Sequence, residues 1–190
     1  SNTTIIQKIT NVTFRDPANW MHICVAIDTT QATADNRVVF FFNGKRYDEG
    51  FTGTNHTPDQ NESLPILNAN SVYHQIGLLY VGASYGYTHG YLADYYFLDG
   101  QSIYSDTSAT INSTFLEDAN TLSTFCIQKN GVGIPAFYTG ADSTYGNNGF
   151  RLTFSNGSAL GEDATTNAHN FTTYSMTSTD KVLDSPSNNF

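Results

Sequence analysis

The sequence predicts an all-β chain folded as an antiparallel β-sandwich or jelly roll, and three observations carry that prediction. Twelve Tyr and 13 Phe stand beside a single Trp, with Thr scattered throughout. Such aromatic and β-branched residues suit a pleated surface. Fifteen Gly, with runs of Asn, Ser and Asp, divide the apolar stretches into short segments. No stretch holds a helical period long enough to sustain an independent helix.

Residues 20–28 (WMHICVAID) alternate, with Met21, Ile23, Val25 and Ile27 on one face and Trp20, His22, Cys24 and Ala26 on the other. Both faces are apolar, which predicts a central strand. Residues 3–14 alternate less cleanly and close at Arg15-Asp16-Pro17. Proline has no donor for a ladder, so a strand followed by a corner is expected there. Residues 37–42 (RVVFFF) predict the next strand. Asn43-Gly44 then supplies the two positive φ angles of a type I′ turn into Lys45-Arg46-Tyr47.

Residues 48–69, with Pro58, Pro65 and no sustained period, read as loop. Residues 72–81 (VYHQIGLLYV) and 90–98 (GYLADYYFL) predict two long strands joined by a loop over 82–89. Asp94 inside the second implies an outward face or a bulge, and Asp99-Gly100 a turn after it. Phe115-Leu116-Glu117-Asp118 holds a weak helical signal, too short for an element of the fold. Later strands are expected at 126–129, 150–154 and 171–176. Strands at roughly 8–12-residue spacing make a sandwich or jelly roll.

A length of 190 residues suits one substantial domain or one domain with an arm. Eight Lys plus Arg against 17 Asp plus Glu leave a formal charge of −9 and no basic run. A phosphate backbone would be repelled, so no nucleic-acid partner is expected. The apolar runs fall far short of the roughly 20 residues of a membrane span, so membrane insertion is not expected. Cys24 in its apolar run reads as a buried thiol, with a long-range disulfide to Cys126 left open.

Catalytic patterns are sparse. A sugar-cleaving sandwich needs two carboxylates facing one groove, at alternate positions of one strand. The four Glu (Glu49, Glu62, Glu117 and Glu162) all fall in loop-like sequence. Asp94 and Asp99 lie nearest a core strand, but their odd offset sends them to opposite faces. Asp94 reads as a solvated strand residue and Asp99 as a turn former. His22, His56, His74, His89 and His169 show no metal-ligand spacing, and no nucleophile elbow precedes a helix. Gly82-Ala83-Ser84-Tyr85-Gly86 reads as turn glycines. No cofactor is expected. Calcium is the alternative, with Asp35, Asp94, Asp99 and Asp142 as conceivable oxygen donors.

The candidate ligand-binding residues are Tyr85, Tyr87 and His89, in the turn Tyr85-Gly86-Tyr87-Thr88-His89. Exposed tyrosine faces stack on the apolar face of a sugar while hydroxyls and nearby amides bond its rim. The competing reading packs these rings against a neighbouring loop or subunit. Seven Asn-x-Ser/Thr sequons accompany the abundance of Asn and Thr and are read as chance.

Several ordered blocks carry a resemblance. They are the run from Phe14 through Trp20 to Ile23, the run from Asp28 to Val38, and Phe42-Asn43-Gly44. Gly90-Tyr91-Leu92-Ala93-Asp94 through Gln101, Tyr138-Thr139-Gly140, Tyr145-Gly146, the run Asn147 to Ser155, and the closing Asp184 to Phe190 continue the series. Together they resemble the concanavalin A-like, laminin-G-type jelly-roll domain of virion proteins from marine tailed bacteriophages. Departures are a longer stretch at 105–134, no Trp before the Tyr-Thr-Gly block, and missing strands before Phe14. The resemblance implies a segment of a longer polypeptide whose sandwich is incomplete at its N-terminal side. It implies a jelly roll over 1–135 and a C-terminal flank over 136–190. It also implies a non-enzymatic virion structural protein at the particle surface, in a tail fibre, head fibre or capsid decoration. Expected partners are other virion subunits, further copies of itself and a host-surface glycan. The alternative is a polysaccharide-degrading glycosidase of the same broad fold.

Overall fold

The structure is a computed structural model that describes residues 6–13, 15, 20–64, 67, 74–81, 84–100, 116–118, 121–122 and 145–183. Within these residues the chain is all-β. Every strand ladder is antiparallel, and helix is confined to single 3-10 turns such as Ala34–Asn36 and Ser178–Asp180.

Strands β1 (Ile23–Ile27) and β2 (Val38–Phe42) pair from Ile23 opposite Phe42 to Ile27 opposite Val38. β2 turns into β3 (Lys45–Arg46) through Asn43 and Gly44, whose φ angles of 48° and 83° make the expected type I′ turn. Asn43 also fastens the start of β1: its amide donates to His22 O and its Oδ1 accepts from His22 N, both at 2.9 Å. On one face Ala26, Val39 and Phe41 are buried, Phe41 completely. On the other, Phe40, Phe42, Tyr47 and Phe51 form a ring cluster with centroids 5.6 to 6.4 Å apart.

The sheet runs β1-β2-β3-β8-β7, where β7 is Leu116–Asp118 and β8 is Thr121–Leu122. Two expectations change here. Among the described residues β1 ends the sheet instead of lying at its centre, and Ile23 and Val25 are 53% and 47% exposed. Apolar side chains on both faces do not distinguish a covered strand from an edge strand with one bare face. Within the weak helical signal, residues 116–118 are strand, because pairing with β8 supplies partners that a single turn of helix would lack.

Residues 7–10 do extend along a partner. Gln7 bridges His56 and Thr10 bridges Phe51, so the stretch read as loop over 48–69 carries part of a ladder. The Tyr47 hydroxyl joins the two: it accepts from Asn11 N and donates to Gly50 O, each at 2.8 Å.

β4 (Leu78–Val81) and β5 (Ser84–Tyr87) form a separate hairpin. β6 (Tyr95–Phe97) pairs with β9 (Phe150–Leu152). Phe150 stacks on Tyr95 and Phe97 at 5.8 and 5.4 Å and meets Phe171 at 4.9 Å. The strand expected over 90–98 is thus only three residues long. Asp94 just before it has φ 47°, outside the extended region. β9 likewise stops before Phe154, whose φ is 54°. No strand forms at 171–176: Phe171 donates its amide to Gly161 O, while residues 172–176 are exposed. Alternation without a partner ladder leaves a chain in water.

The expected strand at 126–129, Cys126, Asp142 and the blocks at 138–140 and 184–190 lie outside the described residues, as do 72–73 of the expected fourth strand.

Candidate functional site

The hairpin of β4 and β5 carries the predicted binding residues. Its register sets Tyr85 opposite Tyr80 and Tyr87 opposite Leu78, and the Thr88 amide closes it on Gly77 O at 2.9 Å. Tyr85 and Tyr87 are therefore strand residues, not loop residues, two positions apart in β5. The side chain of Tyr85 lies outside the described residues. Tyr87 is 67% exposed, and everything from Gly86 through Leu92 is exposed, His89 included.

Two further exposed side chains in this stretch escaped the sequence reading. Tyr91 is 70% and Leu92 50% exposed, although both were expected inside the long strand over 90–98. The available signal was Asp94, which stands between them and the short strand that follows and has φ 47°. Exposed tyrosine rings, a histidine and an aliphatic side chain along residues 87–92 offer stacking area and hydrogen-bonding edges without a charge.

The carboxylates are placed differently. Asp94 is not solvated: its side chain is 11% exposed and lies 3.4 Å from the Arg151 guanidinium, itself stacked over the Tyr96 ring at 5.3 Å. Burial raises the Asp94 carboxyl above its usual value, and the facing Arg151 offsets only part of that. Burial, with Asp94 beside it, drives the Tyr96 phenol up as well. Asp99 accepts from both the backbone amide and the side-chain amide of Asn148, at 3.1 and 2.8 Å, and its own amide donates to Tyr145 O.

Asp163, absent from the sequence reading, accepts more hydrogen bonds than any other acid among the described residues. It is buried and accepts from the amides of Arg151, Thr165 and His169 at 2.9 Å each and from the Thr165 hydroxyl at 2.8 Å. Burial opposes its ionisation, but these four donors outweigh it and hold the carboxyl below the ordinary range. The sequence signal was Asp163-Ala164-Thr165, in which an acid can bond the backbone two residues on. Asn167 braces the same region through Gly146 O and Gly149 O at 2.7 and 2.8 Å. At Gly149 a Cβ would stand 1.8 Å from Tyr145 O, so only glycine fits.

Asp35, Asp94 and Asp99 are not drawn together. Asp35 is exposed in the 3-10 turn, and among the described residues no three His, Cys, Asp or Glu side chains converge as a metal site. Nor is any helix among them long and apolar enough to cross a membrane. The chain matches no protein-family model, and comparison with curated proteins and with solved structures finds no match either.

Proposed function

We propose that this chain is a non-catalytic virion structural module, a jelly-roll sandwich that holds the β4–β5 hairpin out to a neutral glycan on a host surface. Its place is the outside of a phage particle, in a fibre or a capsid decoration, among other virion subunits and copies of itself. The jelly-roll core over 1–135 and the flank over 136–190 belong to the same reading. Support comes from the sequence blocks that resemble phage jelly-roll domains and from the low charge of a chain rich in Asn, Thr and Tyr.

The observation that carries the reading is a division of labour. The acids nearest the core strands, Asp94 and Asp99, are occupied by Arg151 and Asn148, whereas Tyr87 and Tyr91 expose most of their side-chain surface. Glycosidic cleavage requires an acid free to give a proton and a second carboxylate facing it across a sugar. Stacking requires only an accessible ring.

The test is retention of the protein on immobilised neutral polysaccharides, with reducing ends assayed in parallel. Retention that falls about tenfold in Tyr87→Ala, with no reducing ends released, is the expected result. Polysaccharide turnover abolished by Asp94→Asn would make the protein a glycosidase.

A further inference from the structure

The exposed stretch that carries Tyr91 and Leu92 hangs between two anchors. At its first end is the β4–β5 hairpin, closed by the Thr88 amide on Gly77 O at 2.9 Å. At its second end is Asp94, whose Oδ1 accepts from the Arg151 guanidinium at 3.4 Å. Between them residues 89–93 make no hydrogen bond among the described residues. Five residues without bonds of their own take their course from what holds their two ends.

Asp94 is suited to this place by its backbone as well as by its carboxylate. Its φ of 47° lies in the left-handed region, which Asp and Asn tolerate better than other residues that carry a side chain, and β6 begins at the next residue. The group that meets the carboxylate is fixed in turn. Arg151 lies opposite Tyr96 in the β6–β9 ladder, its amide donates to Asp163 Oδ1 at 2.9 Å, and its carbonyl accepts from the Ala164 amide at 2.8 Å. Its guanidinium rests over the Tyr96 ring at 5.3 Å. Among the described residues Asp94 is the one acceptor of that guanidinium, and Arg151 Nε is buried with none. Removing the carboxylate therefore removes the whole side-chain tether.

We propose that Asp94 is a positioning residue for glycan binding: tied to Arg151, it fixes the end of the 89–93 stretch and so holds Tyr91 and Leu92 in a set relation to Tyr87. This rests on the reading of Tyr87 and its neighbours as a binding surface. Tyr87 lies in β5, whose register with β4 does not involve Asp94, whereas Tyr91 and Leu92 lie in the unbonded stretch that Asp94 ends. A ligand that touches Tyr91 then meets a ring already placed, and the cost of ordering that ring on binding falls. Asp94 itself does not touch the ligand in this role. It acts through Tyr91 and Leu92.

The experiment compares Asp94→Gly, which accepts a positive φ but lacks the carboxylate, with Asp94→Asn, which keeps both the conformation and an acceptor for Arg151. Nuclear spin relaxation of the amides at 89–93 reads the tether without any ligand, and retention on immobilised neutral polysaccharides reads its consequence. Expected are an ordered stretch in the wild type, fast motion at 89–93 in Asp94→Gly, and retention lowered about fivefold there, most of which Asp94→Asn recovers. Tyr91→Ala lowers retention about fivefold in the wild-type background and adds little in Asp94→Gly, whereas Tyr87→Ala lowers it by the same factor in both. The proposal is overturned by unchanged relaxation at 89–93 in Asp94→Gly, or by effects of Tyr91→Ala and Asp94→Gly that simply multiply. Amide exchange that quickens equally at Tyr96, Arg151 and 89–93 would also overturn it, since the carboxylate would then hold the sheet and not the stretch. A wild-type chain retained on no polysaccharide defeats the glycan reading and not the tether, which the relaxation of 89–93 decides by itself.

Discussion

In the sheet begun by β1, β2 and β3, burial falls on Ala26, Val38, Val39 and Phe41, and the backbone bonds run in a ladder. Across residues 145–183 the named strand is the three-residue β9, yet Tyr145, Leu152, Leu160, Asp163 and Thr165 are buried as well. Side chains there add to the short β6–β9 ladder: Asp163 collects three backbone amides and Asn167 two carbonyls. The first region is held by apolar contact and regular pairing; in the second, the short β6–β9 ladder and its ring cluster are supplemented by side chains that bond backbone groups. The difference matters for function, because an acid that gathers backbone amides is a strut and not a proton donor.

Substitutions should separate the two. Phe41→Ala removes a fully buried ring from the sheet and should cost about 3–5 kcal/mol, read by chemical denaturation. Asp163→Ala leaves three amides and a hydroxyl without their acceptor, and a cost of about 3 kcal/mol is expected, with exchange accelerated first at Arg151, Thr165 and His169. Equal acceleration throughout the chain in either variant would show the two regions to be one cooperative unit.

How much was legible in the sequence follows the same divide. The Asn43-Gly44 hairpin and the alternation of residues 23–27 are local properties, and both stand in the structure. The rank of β1 within its sheet was not legible, since a strand's own residues do not state how many neighbours it has. Nor was the fate of 171–176, whose alternation finds no ladder. At the candidate site, Tyr87 and His89 are exposed as a binding surface needs, while Tyr91 and Leu92 were hidden inside an apparent strand. Asp163 was missed because its role depends on amides at 151 and 169, brought to it by folding.

Central to this account is that the C-terminal acid is a strut, and its titration tests that most directly. The Asp163 carboxyl is lower in the folded chain than in the unfolded one, so its stabilisation is complete above about pH 4 and lost as pH falls through the native value. Asp94, shifted upward, acts with the opposite sign, its ionised form being the costly one. Asp28 is also held low, but its bonds secure Thr30 and Gln31, not the β1–β2 ladder. Amide exchange followed from neutral pH down to about pH 2 should show Arg151, Thr165 and His169 losing protection before Cys24, Ala26, Val39 and Phe41, and Asp163→Asn should abolish that early loss. Simultaneous loss in both regions, or an unchanged acid response in Asp163→Asn, would contradict the account.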